Sequence, residues 1–194
     1  LLEITLGLNP DAVLYPLVFD IVHDDYAGLT DFVNTRFDGR VDILINNAGA
    51  LVNKPFTDTR EGDFIEMLQS NYIGHVRMIQ ALLPMIAAGG HILNIGSMGA
   101  YQGSAKFTGL AAYSASKAAL HTLTECLAQE LAAQQVKVNC LALGSAQTEM
   151  LEKAFPDYQS PVMAFEMGKY IADFALTGHK FYNGKVLPVA TTTP

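Results

Sequence analysis

The chain has 194 residues, half of them hydrophobic, which is enough for a single domain over residues 1–194 with a buried core. Nineteen acidic residues against twelve basic ones give a formal net charge of -7, and Lys and Arg form no cluster, so nucleic acid is not an expected partner. No apolar run approaches the roughly 20 residues of a membrane span, and no charged-then-apolar leader opens the sequence, so we expect a cytoplasmic protein that does not enter the membrane.

The first part of the sequence predicts a strand and a helix. Leu1 to Leu8 is typical of the end of a helix and a turn. Ala12 to Ile21 is rich in Val, Leu, Tyr and Phe and predicts a buried strand, although Pro16 fits poorly inside one. From Asp24 to Phe37 the apolar residues recur at helical spacing, and Gly39 follows, so we predict a helix there.

The next segment contains the clearest strand of the sequence. Val41 to Ile45 is a short apolar run of the kind buried on both faces of a parallel sheet. It continues into Asn46-Asn47-Ala48-Gly49, whose small residues suit a turn at the carboxyl edge of that sheet. A long helix is predicted from about Asp63 to Ala88, with its last turns bent or weakened by Pro84 and its end at Gly89-Gly90.

Strands and helices alternate through the rest of the chain. The predicted strands are His91 to Ile95, Val136 to Leu143 and Lys185 to Val189, and the predicted helices are Tyr113 to about Gln134, Thr148 to Phe155 and Met163 to Leu176. This alternation predicts an α/β fold with a doubly wound parallel sheet.

Cysteine and histidine spacing does not favour a metal site. Cys126 and Cys140 are isolated thiols that fit no Cys-x-x-Cys motif. The five histidines, His23, His75, His91, His121 and His179, show no paired ligand spacing. We therefore expect each histidine to be an ordinary surface or core residue, and no metal to be bound.

Tyr113 and Lys117 are the most informative pair in the sequence. They are four residues apart on a predicted helix, so both side chains leave it on one face. An ammonium within about 4–6 Å favours the ionised phenol and lowers its pKa from about 10, which suits proton transfer near neutral pH. Taken alone, the same spacing also fits an unremarkable surface pair.

Four elements in chain order carry a family resemblance: Asn46-Asn47-Ala48-Gly49 after a strand, Asn71 in the next helix, Ser97 at a strand end, and Tyr113-x-x-x-Lys117. Together they resemble the short-chain dehydrogenase/reductase family, from about Leu1 to Val189. The resemblance implies a Rossmann-like, three-layer α/β/α fold, an NAD or NADP cofactor, and an enzyme that transfers a hydride between the nicotinamide and a carbonyl or secondary alcohol.

The resemblance also implies a role for each catalytic position. Tyr113 is the acid/base, and Lys117 lowers its pKa and holds the nicotinamide ribose. Ser97 hydrogen bonds the substrate oxygen, and Asn71 holds a water that links Lys117 to solvent. The implied cofactor contacts are Asp20, Asn47, Ala48, Gly49, Tyr113, Lys117, Gly144 and Thr148, with Asp20 placed at the adenine ring.

The sequence departs from the family at its most diagnostic cofactor element. The turn Thr-Gly-x-x-x-Gly-x-Gly is absent, and two strands and two helices of the resembled fold are missing. Those strands belong between the strand ending at Asp20 and Val41 to Ile45, where a gap would leave buried groups unpaired at roughly 1–3 kcal/mol each. We therefore expect these residues to be the carboxyl-terminal two-thirds or more of a longer domain.

Smaller departures concern the substrate side. Leu143-Gly144 stands where the family has Pro-Gly, and the loop between Ser97 and Tyr113 is longer than usual. The expected substrate pocket lies between that loop and the segment Ala146 to Phe165. The apolar residues of this segment favour a hydrophobic carbonyl or alcohol, but they also fit simple packing: Met150, Leu151, Phe155, Tyr158, Met163 and Phe165.

The sequence also predicts an oligomer and leaves two alternative functions open. The helices Asp63 to Ala88 and Tyr113 to Gln134 carry more apolar surface than one sheet face covers, and the family pairs such helices, so we expect a homodimer or homotetramer. One alternative is a catalytically silent relative that acts as a nucleotide sensor or interaction protein. Another is a sugar-nucleotide epimerase or dehydratase, which shares Tyr-x-x-x-Lys but carries a longer substrate domain than Thr191 to Pro194 provides.

Overall fold

The structure is a computed structural model that describes residues 11–190, so the predicted helix end at Leu1 to Leu8 lies outside the described residues. The α-helices are α1 (Tyr26–Arg36), α2 (Glu61–Leu68), α3 (Gly74–Leu82), α4 (Ala111–Glu130), α5 (Glu149–Ala154) and α6 (Ala164–Thr177). A π-helical turn, Gln69–Ile73, joins α2 directly to α3. The strands are β1 (Val41–Asn46), β2 (Ile86–Ser97), β3 (Lys137–Leu143) and β4 (Val186–Val189).

The strands form one four-stranded sheet in the order β1-β2-β3-β4, and every neighbouring pair is parallel. One face carries a core of Ile79, Ile92, Ala128, Leu131, Val136 and Val138, contributed in part by α3 and α4. The other face carries Leu93, Ile95, Leu141, Phe174 and Ala175, the last two from α6. Helices therefore cover both faces, which confirms the predicted three-layer α/β/α fold.

Local capping explains where several helices begin. The Asp25 carboxylate accepts a hydrogen bond from the Ala27 amide at 3.0 Å and so caps α1. The Thr148 hydroxyl accepts from the Leu151 amide at 3.2 Å and caps α5. Near α1, the chain turns at Gly39, which has a φ of +67° that a glycine adopts without strain.

The predicted strand from Ala12 to Ile21 is wrong. Residues 12–20 have irregular backbone, and the Val18 side chain is 99% exposed. Strand geometry needs a partner to satisfy its backbone groups, and β1 pairs only with β2 among the described strands. An apolar, β-branched composition is therefore not sufficient for a strand here.

The predicted end of the long helix is also wrong. The helix gives way to a 3₁₀ turn, Leu83–Met85, with Pro84 inside it, and β2 begins at Ile86. Gly89 and Gly90, expected after a helix, lie within β2, where the register against β1 shifts. The φ of +85° at Gly89 allows this irregularity, so Pro84 and Gly89 together convert the predicted last helical turn into strand.

Candidate active site

The predicted catalytic residues lie near the carboxyl edge of the sheet. Asn46, Ser97 and Leu143 end the parallel strands β1, β2 and β3. Ligands of open α/β sheets bind in the crevice beyond these ends. The amino-terminal half of α4 packs against this region and supplies Tyr113 and Lys117.

Tyr113 and Ser97 face each other at this edge. Burial raises the pKa of the Tyr113 phenol, and the neighbouring Ser97 side chain opposes that rise without cancelling it. The Ser97 hydroxyl also accepts a hydrogen bond from the Gly99 amide at 3.2 Å, which fixes the local backbone. The structure thus places the phenol, in its protonated form, beside the serine hydroxyl.

Lys117 is an almost fully buried ammonium, 4% exposed. Its Nζ donates a hydrogen bond to the Ile95 carbonyl at 2.8 Å, and no carboxylate within residues 11–190 forms an ion pair with it. Burial lowers the pKa of Lys117 to about 8. In this structure burial is the largest influence on the Tyr113 pKa and Ser97 opposes it, so the lowering by Lys117 stays a prediction.

Asn71 is fully buried in the π-helical turn, where it joins the β1 loop to α4. Its Oδ1 accepts from the Ala50 amide at 2.9 Å, and its Nδ2 donates to the Ala50 carbonyl at 2.9 Å and to the Ser116 hydroxyl at 3.0 Å. π-helical turns are often found at functional sites. Asn71 therefore has a definite structural task, which is to join the loop after β1 to α4.

Gly49 approaches these side chains closely. A Cβ at this position would meet the Asn71 Oδ1 at 2.7 Å and the Lys117 Nζ at 3.5 Å. The small-residue turn after β1 is therefore required by packing on Asn71 and Lys117. Asn47, Ala48 and Gly49 remain exposed, so their other side is open to a ligand.

Asp20 lies across a groove from the same turn. The groove has a volume of ≈ 360 Å³, and its lining includes Asp20, Ile21, Ala48, Gly49 and Ser70. The Asp20 carboxylate accepts from the Val22 amide at 2.8 Å and contacts the His23 Nδ1 at 3.0 Å. These hydrogen bonds, that with His23 first, lower the pKa of Asp20, so the groove carries a carboxylate at one end.

The remaining predicted cofactor contacts, Gly144 and Thr148, lie beyond β3 and do not line this groove. The Gly144 amide donates to the Val189 carbonyl at 2.9 Å, and a Cβ on Gly144 would meet the Ala190 Cβ at 2.9 Å. Thr148 is exposed and caps α5. The structure gives both residues local tasks and does not bring them to Asp20.

A second cavity lies on the expected substrate side. Its volume is ≈ 430 Å³, and its lining includes Leu51, Asn53, Glu149, Met150 and Lys153. Apolar side chains of the segment 146–165 stay partly free of the core: Met150, Tyr158, Met163 and Phe165 are 39%, 46%, 55% and 68% exposed. Simple packing onto the sheet therefore does not account for these four residues.

Sequence reasoning missed three buried polar residues around the site. Ser116 accepts a hydrogen bond from Asn71. His75 contacts the Ala48 carbonyl through its Nε2 at 2.8 Å, and the His121 Nε2 accepts from the Ser97 amide at 3.4 Å. Burial first, and then the charge of Lys117, lowers the pKa of each histidine to about 4. Their place on helical faces shared with Asn71 and Lys117 was the available signal.

Residues 11–190 contain no group of three or more His, Cys, Asp or Glu side chains that could hold a metal ion. Within the same range, no helix has both the length and the apolar character needed to cross a membrane.

Comparisons with known proteins agree with this geometry. A family model described as short chain dehydrogenase matches residues 9–159. An uncharacterized oxidoreductase of Staphylococcus saprophyticus is 32% identical over 145 residues, which cover 73% of this chain and 60% of the relative. An uncharacterized oxidoreductase of Staphylococcus aureus strain MW2 is 36% identical over 112 residues, which cover 57% of this chain and 47% of the relative. The chain thus spans 60% or less of these two relatives.

Solved structures give the same result. A dehydrogenase/reductase from Sinorhizobium meliloti 1021 superposes with a TM-score of 0.73 at 27% identity, covering 88% of this chain and 70% of that one. A short chain dehydrogenase from Burkholderia cenocepacia J2315, solved in complex with NADP, superposes with a TM-score of 0.75 at 27% identity, covering 87% of this chain and 71% of that one.

Proposed function

This chain belongs to the short-chain dehydrogenase family, and from that premise we propose that it acts as an NAD(P)-dependent oxidoreductase with Tyr113 as its acid/base. The substrate is a carbonyl compound in one direction and a secondary alcohol in the other. The observation that carries the proposal is the Tyr113 phenol beside Ser97 at the carboxyl edge of the sheet, with the buried Lys117 one turn further along the same helix.

The residues present fit a nicotinamide dinucleotide. Asp20, Ala48 and Gly49 line one groove, which suits the adenosine side, with the Asp20 carboxylate available to the adenine ring and Asn47 assigned to the same turn. Tyr113 and Lys117 are assigned to the nicotinamide ribose, and Gly144 and Thr148 to the nicotinamide end, as in the family. Support for the cofactor also comes from the Burkholderia neighbour, which was solved with NADP.

Proton transfer falls to Tyr113. When bound, the nicotinamide supplies or accepts the hydride. In reduction, the phenol donates its proton to the substrate oxygen, and its raised pKa keeps the donor protonated before the reaction. In oxidation, the tyrosinate removes the alcohol proton, a direction that burial alone disfavours and that the positive charge of Lys117 would assist.

Ser97 orients the substrate oxygen, and Asn71 fixes the loop after β1. The Ser97 hydroxyl, beside the phenol, is placed to hydrogen bond the substrate oxygen and hold it within reach of Tyr113. Asn71 fixes the β1 loop through both polar groups of Ala50 and would hold the water that connects Lys117 to solvent.

The substrate class and the assembly belong to the same proposal. The exposed Met150 and Phe165 and the cavity beside α5 favour an apolar carbonyl or alcohol. A homodimer or homotetramer in the cytoplasm fits the exposed Ile65 and Leu68 of α2, which lie one helical turn apart. By contrast, α4 exposes no large apolar side chain along its described length.

A catalytically silent relative is the second candidate. The open groove with Asp20 suits a nucleotide sensor equally well, and the acid/base geometry is what distinguishes the two functions. The test is to incubate the full-length protein with NADH or NADPH and a panel of apolar carbonyls while following cofactor oxidation. Turnover with one member of the panel is the expected result. Cofactor binding without turnover of any carbonyl would favour the silent relative.

A further inference from the structure

His75 is a buried histidine at the start of α3 and is 1% exposed. Its Nε2 lies 2.8 Å from the Ala48 carbonyl oxygen. Because a carbonyl oxygen only accepts, the Nε2 must carry the hydrogen. Since burial lowers the pKa of His75 to about 4, the ring at neutral pH is the tautomer with a bare Nδ1. Within residues 11–190 that buried Nδ1 has no hydrogen-bond partner, so the Ala48 carbonyl is the one hydrogen-bond contact of the ring there.

His75 and Asn71 act on the same loop from one helical face. They are four residues apart, across the junction of the π-helical turn and α3. Asn71 holds both polar backbone groups of Ala50, while His75 holds the carbonyl of Ala48. The two side chains therefore fix the backbone on either side of Gly49, which packs against Asn71 and Lys117.

The opposite wall of the groove also packs against the start of α3. A Cβ on Gly74 would meet the Ile21 side chain at 2.7 Å, so the helix and the segment around Ile21 are in close contact. The Tyr26 hydroxyl lies 2.7 Å from the Ile21 carbonyl and 3.1 Å from the Gly74 carbonyl. Residues 71–75 thus support both walls of the groove that contains Asp20.

We propose that His75 is a positioning residue for the cofactor: its Nε2–H fixes the Ala48 carbonyl and thereby the backbone wall of the groove. The inference rests on the proposed function, since it assigns this groove to the nicotinamide dinucleotide. His75 lies behind the wall and does not touch the ligand in this account. Its effect is transmitted by one hydrogen bond, so a side chain that restores this bond should restore binding.

Three substitutions at one position test this claim. In His75→Gln the amide nitrogen can take the place of Nε2, in His75→Asn it is too short to reach, and in His75→Phe the ring volume stays but the donor is lost. The dissociation constants of NADH and NADPH are measured by fluorescence titration of the full-length protein, below the lowest melting temperature of the series. The KM for a carbonyl substrate is measured at saturating cofactor.

The variants should differ in cofactor affinity but not in the KM for the carbonyl substrate. The dissociation constant of the preferred cofactor rises about tenfold in His75→Phe and His75→Asn, and stays within about threefold in His75→Gln. If His75→Phe does not fold, the comparison of His75→Asn with His75→Gln decides. The carbonyl KM stays within about threefold throughout.

Two outcomes would overturn the inference and leave the proposed function intact. Equal cofactor affinity in all variants would show that the bond to Ala48 does not matter for binding. Parallel changes in cofactor affinity, carbonyl KM and melting temperature, with no rescue by His75→Gln, would mean a purely structural role. An unaltered protein that binds neither NADH nor NADPH would instead contradict the proposed function itself, and this inference with it.

Discussion

Lys117 is the residue that sets the electrostatics of the site. Its ammonium is buried against one carbonyl, and its charge helps to keep His75 and His121 neutral. The half-buried Tyr113 resists ionisation because desolvation raises the pKa of its phenol. The site therefore favours a neutral phenol, which is the form that donates a proton to a carbonyl oxygen.

The two histidines make the stability of the fold depend on pH. Their pKa values fall from 6.5 to about 4 on folding, so the unfolded chain takes up protons first as the pH decreases. The contribution of these groups to the free energy of unfolding should be constant above pH 6.5. It should decrease as the pH falls from 6.5 to 4 and level off below pH 4. Each histidine contributes up to about 3 kcal/mol.

Urea unfolding at a series of pH values measures this effect. His121→Gln, which removes a side chain facing Lys117 and Lys106, should reduce the slope between pH 6.5 and 4. Gln129→Ala, which truncates an exposed side chain without a titrating group on the same helix, is the control and should leave the slope unchanged. An unchanged slope in His121→Gln would show that this histidine is already charged in the folded protein.

At the scale of elements, sequence patterns predict those helices and strands whose formation depends on their own residues. β1, β3, α1 and α4 were predicted close to their observed bounds because apolar runs and caps lie within them. The strand from Ala12 to Ile21 was not predictable in this way, since a strand forms only when a neighbour satisfies its backbone. The helix ending near Pro84 was misjudged because the helical apolar pattern continues into β2.

The candidate site likewise has features that the sequence predicts and features that it does not. The sequence places Tyr113 and Lys117 on one helical face, and the structure confirms that placement. The raised pKa of Tyr113 depends on burial by several elements, which spacing does not reveal. His75 was missed because its partner is a backbone carbonyl, which has no signature in the sequence.

At the scale of the whole molecule, the β1 edge of the sheet and the α2 face are both open among the described residues. β1 has no second strand beside it, and Ile45 is 39% exposed. On α2, Ile65 and Leu68 are 50% and 39% exposed. The proposed homo-oligomer uses the α2 face, because its two apolar side chains lie one turn apart on a regular helix.

A charge on that face should therefore dissociate the assembly. Ile65→Glu places a carboxylate in the proposed interface, and desolvating it costs more than the apolar contact contributes. Light scattering coupled to size-exclusion chromatography should show half the mass of the unaltered protein or less. Ile65→Leu, which keeps the side chain apolar, should keep the full mass, and an Ile65→Glu variant of undiminished mass would place the interface elsewhere.

The central claim is that Tyr113 transfers the proton, and its phenol oxygen is the atom to remove. The measurement is kcat/KM for carbonyl reduction by the full-length protein, compared between Tyr113→Phe and Tyr170→Phe, which removes an exposed hydroxyl on α6. We predict a loss of about 10²–10⁴-fold in Tyr113→Phe and less than about twofold in Tyr170→Phe. Equal turnover by the unaltered protein and Tyr113→Phe would contradict the account.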